Sequence, residues 1–218
     1  MHPQPLFATA FAVCALVASS AHASPALLRS AEQGDLAGVQ HQLRSGAVVD
    51  TRDARQRTPL LLATWANHPS VAQALIAAGA DVNAKDDQQD SPYLVAGAHG
   101  RTEILKMTLA HGADLRSTNR YGGTALIPAS EKGHPEAVRL LIQAGADVDF
   151  VNNLGWTSLL EVVILGQDTA VYQNITRQLI AAKAKLNLPD RDGVTPLQHA
   201  KKRGLTQIAA LLAQAGAQ

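Results

Sequence analysis

The sequence predicts an all-α solenoid of about six stacked helix–turn–helix units joined by short turn-rich fingers. A phrase of the form Thr-Pro-Leu recurs in altered spelling, in steps of 33, 33, 33 and 38 residues, at Thr58, Ser91, Thr124, Thr157 and Thr195. A Gly-Ala pair keeps the same period at Gly46, Gly79, Gly112, Gly145 and Gly216, and Lys183 occupies the one missing place. Two markers with one period indicate a tandem repeat whose units stack on one another.

The spacing and spelling of these markers are those of a known family. A period of about 33 residues with a Thr-Pro-Leu-His-like phrase is typical of ankyrin repeats. The stretch from Asp53 to Asn83 shows the full pattern, in which Thr58–Leu60 opens one helix and Gly79-Ala80 closes the next. From about Ala26 to its end, the chain therefore resembles an ankyrin-repeat protein. The resemblance implies helical pairs joined by β-turn fingers.

The repeat divides residues 24–218 into units of one ankyrin-repeat domain. In unit 1, His41 and Gln42 stand where later units carry apolar residues, so we expect this unit to be the polar cap of the stack. In unit 2, Pro59 suits the first position of a helix, and Val71 and Leu75 begin the buried stripe of the second helix. The units span about 26–52, 53–85, 86–118, 119–151, 152–189 and 190–218.

Two units depart from this pattern. In unit 4, Pro128 lies inside the first helix and is expected to start it late or tilt it; a tolerated first-turn proline is the alternative. Unit 5 is five residues longer than its neighbours, and the extra residues are expected between Gly166 and Asn174, in the connection between its helices. Lys183 replaces the helix-ending glycine there, which costs ~1 kcal/mol if the left-handed conformation is kept.

Residues 1–23 are expected to be a signal peptide. Leu6 to Ala18 is apolar and uncharged, although the residues before it lack Lys or Arg, and Ala21–Ala23 has the small-x-small form of a cleavage site. The only cysteine, Cys14, lies in the apolar run, so cleavage leaves a mature chain without thiols. We expect a periplasmic or secreted protein with no membrane insertion after cleavage near Ala23.

Composition and motifs argue against several classes of function. The net charge of +1 provides no strong field for nucleic acid. The chain has no phosphate-binding glycine loop, nucleophile elbow or zinc-binding helix motif, and its histidines lack metal-ligand spacing. We therefore expect no enzyme, no metal site and no cofactor, and we interpret His68 and His134 as structural residues of the turns between helices.

The resemblance also indicates where a partner protein would bind. Ankyrin-repeat proteins usually hold partners in a concave groove, on the finger residues before the Thr-Pro phrase and on the exposed face of each first helix. Carried over by position, this selects as partner-binding residues Arg55, Arg57, Trp65, Gln88, Asp90, His99, Arg120, Tyr121, Glu131, Lys132, Leu154, Trp156 and Glu161.

Three aromatic residues and one acid stand out in this set. Trp, Tyr and Arg dominate the energetics of protein interfaces, so Trp65, Tyr121 and Trp156 are expected to contribute most. The alternative is that these rings, Trp156 above all, pack against the next finger. We expect the Glu161 carboxylate to be exposed or paired with a cation of a neighbouring unit such as Lys132, or else to accept a cationic group from a partner.

These expectations amount to a monomeric, exported, non-catalytic protein that binds an unidentified partner protein. The stretch Asn187–Leu197 resembles small exported bacterial ankyrin proteins, which implies a role as inhibitor, chaperone or accessory of another exported protein. The alternative is a ligand- or cofactor-binding accessory that supports a periplasmic enzyme, for example in peroxide defence. Aromatic anchors spread over several units favour the first interpretation, and polar groups converging on one pocket favour the second.

Overall fold

The computed structural model describes residues 24–218, and the predicted signal peptide lies outside these residues. Twelve helices and no strands are found in this part of the chain, and they form six helical pairs, as the repeat predicts. The odd-numbered helices pack in one row and the even-numbered helices in a second. The helices are α1 Pro25–Gln33, α2 Leu36–Arg44, α3 Pro59–Trp65, α4 Pro69–Ala77, α5 Pro92–Ala98, α6 Thr102–Ala110, α7 Leu126–Glu131, α8 Pro135–Gln143, α9 Ser158–Leu165, α10 Ala170–Ala181, α11 Pro196–Lys202 and α12 Thr206–Gln214.

The recurring Thr or Ser residues start the first helices because their side chains cap them. The Thr58 hydroxyl oxygen accepts the N–H of Leu61 at 3.2 Å, and Ser91, Thr157 and Thr195 cap α5, α9 and α11 in the same way. Such a cap satisfies a helix N–H that has no intrahelical partner, and its loss costs about 1 kcal/mol. The sequence phrase is therefore a helix-start signal.

Helix α7 lacks this cap, and Pro128 explains why. In α3, the N–H of Leu62 bonds to the carbonyl of Thr58, four residues earlier. Pro128 has no N–H to give to Thr124, so the Ile127 N–H bonds to the Thr124 carbonyl instead. The Thr124 hydroxyl is left without a partner, and the helix begins late, at Leu126.

The two histidines of the helix–helix turns fill space beside glycines of the preceding units. A Cβ atom on Gly34 would lie 2.7 Å from the His68 ring, and one on Gly100 would lie 2.8 Å from the His134 ring. His68 Nε2 also lies 3.2 Å from the carbonyl oxygen of Glu32. Both histidines therefore join adjacent units, which confirms the structural interpretation.

Each finger is built on an Asp or Asn that accepts the backbone N–H groups two and four residues ahead. Asn152, for example, accepts from Leu154 at 2.9 Å and from Trp156 at 3.0 Å. This local arrangement closes a tight turn and leaves the second side-chain atom of the Asp or Asn free for other contacts. The equivalent residues are Asp53, Asp86, Asn119, Asn152 and Asp190.

A second series of Asp and Asn side chains ties each finger to the next. Their carboxylate or amide oxygens accept the backbone N–H of a residue in the following unit: Asp50 from Asp81, Asn83 from Asp114, Asp149 from Lys185 and Asn187 from Gln218. We call this series the finger ladder. The ladder is interrupted between units 3 and 4, where Arg116 stands in the equivalent place. Among the described residues, the Asp147 N–H then has no acceptor.

The five extra residues of unit 5 mainly lengthen its second helix. The prediction that they extend the turn between the two helices is therefore wrong for most of these residues. Helix α10 has 12 residues where α4 has 9, and the turn before it gains only one residue, since α9 takes the other. Side-chain hydrogen bonds connect this lengthened part of unit 5 to units 4 and 6. The Tyr172 hydroxyl donates to the Glu131 carbonyl at 2.8 Å, and Asp168 accepts the N–H of Gln207 at 2.8 Å.

Lys183 ends α10 in the left-handed conformation expected from its glycine-equivalent place. Its φ is 63°, and its N–H bonds to the Ile180 carbonyl at 2.9 Å. A lysine in this conformation carries a strain that the glycines of the other units avoid. No helix among residues 24–218 is both long and apolar enough to cross a membrane.

Candidate functional site

The row of odd-numbered helices and the fingers before them form a groove that crosses units 2 to 5. Its volume is about 400 Å³. Apolar side chains of α5, α7 and α9 make up much of its surface, among them Leu94, Ile127 and Leu165. Leu165 is 47% exposed, and Leu154, from the finger of unit 5, is 49% exposed. The groove therefore offers apolar surface that the chain itself does not cover.

Nine of the thirteen residues selected from the sequence line this groove: Trp65, Asp90, His99, Arg120, Tyr121, Glu131, Lys132, Leu154 and Glu161. The other four lie outside it. Arg57 is engaged by Asp53, with Nη2 and Oδ2 2.7 Å apart, and Arg55 is exposed at a finger tip. Gln88 accepts from Arg120 Nη1 at 3.4 Å. The Trp156 side chain is half-buried against the core and does not line the groove.

Trp65, His99 and Lys132 form a contact chain along one end of the groove. The Trp65 and His99 rings meet edge to face, with centroids 4.7 Å apart, and Trp65 stays 38% exposed. Lys132 Nζ lies 3.4 Å from His99 Nε2, so the lysine donates to a neutral imidazole. The pKa of His99 is lowered to about 4, mainly by burial and also by the charges of Lys132 and Arg101.

Tyr121 and Arg120 form the opposite, more exposed edge. The Arg120 guanidinium carbon lies 5.0 Å from the centre of the Tyr121 ring, and Arg120 Nη1 lies 3.5 Å from Asp90 Oδ2. Tyr121 is 57% exposed, the largest exposure of any big apolar side chain described. An exposed tyrosine ring backed by an arginine is a surface that protein interfaces commonly use.

Glu161 lies at the bottom of the groove and is only 4% exposed. Its Oε1 accepts from Asn152 Nδ2 at 2.9 Å, whereas its Oε2 is buried without a hydrogen-bond partner among the described residues. The pKa of Glu161 is raised to about 7, mainly by burial and also by the nearby charge of Glu131, while the hydrogen bond from Asn152 opposes the rise. The expectation that Glu161 is exposed or paired with Lys132 is therefore wrong.

The burial of Glu161 follows from a position that every full unit shares. The residue nine positions after the turn-forming Asp or Asn lies on the first helix of the unit, and its side chain faces the finger. Apolar side chains or proline occupy this position in units 2 to 4, as Leu62, Val95 and Pro128. In unit 6 the position is His199, whose Nε2 contacts Asp190 Oδ2 at 2.7 Å. Unit 5 thus has a polar pair, Asn152 with Glu161, that leaves one oxygen unsatisfied.

Asn152 is not among the residues selected from the sequence, although its place in the repeat could have indicated it. Asp or Asn recurs at this finger position in five units, and a polar residue nine positions later occurs in units 5 and 6 alone. Residues 24–218 contain no group of three or more side chains suited to hold a metal ion. The arrangement of the groove, with apolar walls, exposed rings and one unsatisfied acid, is suited to binding.

Comparison with known proteins supports the resemblance to ankyrin-repeat proteins. The sequence model for ankyrin repeats in three copies matches residues 27–119 and 93–173. No curated protein matches the chain in sequence. A crystal structure of an ankyrin repeat domain from Acinetobacter baumannii AYE is 56% identical, with a TM-score of 0.85, over 88% of this chain and 98% of that one.

Two further solved structures are similar over most of their length. EF0377, an ankyrin repeat protein, is 44% identical, with a TM-score of 0.84, over 87% of this chain and 96% of its own. The ankyrin repeat domain of Bcl-3, a member of the IkappaB family, is 28% identical, with a TM-score of 0.79, over 89% of this chain and 87% of its own. Ankyrin repeats generally mediate protein–protein interaction and are typically non-catalytic. On these matches and on its own repeat, the chain belongs to the ankyrin-repeat family.

Proposed function

We propose that this protein is exported and binds a partner protein through the groove of units 2 to 5, as an inhibitor, chaperone or accessory of another exported protein. The observation that carries the proposal is the exposure of large apolar side chains along one surface. Trp65, Tyr121, Leu154 and Leu165 come from three different units, and all four line the groove. Exposed apolar side chains gathered in this way are typical of interaction sites.

The stacked helices make the groove a preformed surface. Its walls belong to helices that pack onto the buried core of the stack, so little conformational entropy is lost when a partner binds. The exposed tyrosine and tryptophan supply large contact area at low entropic cost, because each side chain has only two rotatable bonds. A linear or helical segment of a folded partner would fit such a surface.

Export is supported by the apolar segment before Ala23 and by the contacts of Ser24, the residue that would follow the cleavage site. Helix α1 starts at Pro25, and Ser24 caps it by accepting the Leu27 N–H at 3.4 Å. Cleavage after Ala23 would leave this cap intact. It would also leave the Ser24 nitrogen able to donate to Thr51 Oγ1, 3.0 Å away. The expected mature N-terminus is Ser24, which N-terminal sequencing of protein from the periplasm or medium can check; a cytoplasmic chain that retains Met1 would refute export.

The binding proposal is tested by photo-crosslinking in the producing cell. A benzoyl-phenylalanine in place of Tyr121 should give a defined adduct with one protein, identified by mass spectrometry. The same group in place of Val48, which is 47% exposed and outside the groove, should not give that adduct. Equal yields of the adduct from both positions, or none from Tyr121, would contradict binding in the groove.

A second candidate is the binding of a small ligand in the same place. It is favoured by the convergence of Asp90, His99, Glu131 and Glu161 on a volume of about 400 Å³, which is within the range of small-molecule pockets. Thermal-shift measurements with a panel of periplasmic metabolites would separate the two. A stabilisation that is lost on changing Glu161 but kept on changing Tyr121 would favour the small ligand.

A further inference from the structure

We propose that Glu161 is the base of a subsite that binds a lysine or arginine side chain of the partner protein. This inference rests on the proposed function, and it specifies the chemistry of the partner. The subsite consists of the unsatisfied Glu161 oxygen, the neighbouring acid Glu131 and the apolar walls between them and the exposed rings. A partner that binds this subsite would carry one basic residue at a fixed place in its bound segment.

The first argument is the unsatisfied oxygen. A buried acceptor without a hydrogen bond is costly, and native proteins retain few of them. Asn152 holds the other oxygen, and the orientation of its amide is fixed because Asn152 Oδ1 already accepts the N–H groups of Leu154 and Trp156. The carboxyl group is therefore held in one orientation, with Oε2 still without a hydrogen-bond partner among the described residues.

A second acidic side chain, Glu131, lies near this oxygen. Glu131 on α7 is close enough to Glu161 on α9 for its charge to raise the pKa of Glu161. Neither acid forms an ion pair with any residue from 24 to 218. Two adjacent acids without a cation form a site that a cation from outside would complete.

The cations that line the groove are engaged elsewhere. Arg120 contacts Asp90 and the Tyr121 ring, and Lys132 donates to His99. From α11, which packs against α9, Arg203 donates to the Val163 carbonyl at 3.0 Å. A partner cation therefore meets no competing lysine or arginine bound to Glu161.

The groove also offers apolar surface to the stem of a partner's lysine or arginine side chain. A lysine or arginine has a long apolar stem and a charged end, and such side chains bury the stem against apolar surface. Leu154 and Leu165 offer exposed apolar surface in the groove that Glu161 lines, and the Trp65 and Tyr121 rings are exposed in the same groove. Guanidinium and ammonium groups are attracted to such faces, which would guide the side chain inward.

The test is a selection of random dodecapeptides displayed on phage against the immobilised mature protein. The expected result is a family of peptides with Lys or Arg at one fixed position beside apolar residues. On Glu161→Gln, which keeps the size and the bond from Asn152 but cannot ionise, the preference for that basic residue should disappear. On Glu32→Gln, which removes the same charge from an exposed site outside the groove, the preference should persist.

A selected arginine peptide then gives the affinity readout. Replacing its arginine by neutral, nearly isosteric citrulline should weaken binding to the wild type by about 10-fold or more and leave binding to Glu161→Gln almost unchanged. Since the pKa of the free Glu161 is about 7, affinity for the arginine peptide should rise by at most about 30-fold between pH 5.5 and pH 8 in the wild type only. His99, with a pKa of about 4, stays neutral across this range.

The outcomes separate this inference from the proposed function. Peptides that bind the groove without a basic residue at a fixed position, or that keep one equally on Glu161→Gln, would overturn the cation subsite and leave groove binding standing. If no peptide is enriched relative to a Trp65→Ala/Tyr121→Ala variant shown by circular dichroism to be folded, the groove does not bind polypeptide, and both proposals fail.

Discussion

Ionisation of Glu161 should make this fold less stable as the pH rises. The folded protein holds the proton up to a pKa of about 7, whereas the unfolded chain releases it near the ordinary value of 4.5. Between these values the folded state binds the extra proton, so the free energy of unfolding falls as pH rises. At 1.36 kcal/mol per unit, a rise from 4.5 to 7 corresponds to about 3 kcal/mol, most of which is lost between pH 5 and pH 8.

Glu161→Gln isolates this contribution. The glutamine resembles the protonated acid, because it can accept the bond from Asn152 and carries no charge. Urea denaturation followed by circular dichroism should show the variant and the wild type about equally stable near pH 5. Near pH 8, the variant should be more stable by roughly 2–3 kcal/mol.

Other groups also titrate between these pH values, so the comparison is made between proteins at each pH. Glu32→Gln, on the exposed side of α1, should follow the wild-type curve at every pH. Parallel curves for the wild type and Glu161→Gln would show that Glu161 is ionised in the fold well below pH 7. That result would refute the account of its burial given above.

Three further changes test the stack itself, each by chemical denaturation. Arg116→Asn should complete the finger ladder by accepting the Asp147 N–H and raise stability by ~1 kcal/mol, and an unchanged stability would show that the fingers cannot close there. Lys183→Gly should raise it by up to ~1 kcal/mol without changing binding, and a loss would reveal a structural contact of the lysine side chain. Asp168→Ala should cost ~1–2 kcal/mol, because Asp168 accepts the N–H groups at the start of α12; no effect would mean that α12 does not depend on this cap.

The helical pairs were predictable because the repeat marks them directly. Four of the five residues at this place in the repeat, Thr58, Ser91, Thr157 and Thr195, are helix caps, and a cap acts on N–H groups only two or three residues away. The left-handed Lys183 was predictable for the same reason, since the place of a residue in the repeat determines its backbone conformation. Local rules of this kind need only the sequence.

The length of α10 was harder to predict, because spacing shows that residues are added but not what they form. The extra residues extend the helix since Tyr172 and Asp168 find partners in units 4 and 6, and those partners are distant in sequence. The groove raises the same problem. Nine of its residues could be selected by position, but the hydrogen bonding of the Glu161 carboxyl group depends on the side chain of Asn152, which reaches it from the finger.

The break in the finger ladder has a mechanical consequence. The even-numbered helices α6 and α8 also pack less closely on each other than the other neighbouring pairs of their row, so we expect the stack to be most compliant at the junction of units 3 and 4. The groove crosses this junction, with Trp65 and His99 on one side and Tyr121 and Leu154 on the other. We expect bending here to vary the aperture between these walls while each unit keeps its shape, which admits segments of different thickness. Stiffening the junction with Arg116→Asn should then narrow the range of peptides bound, which side-by-side selections on the two proteins can measure.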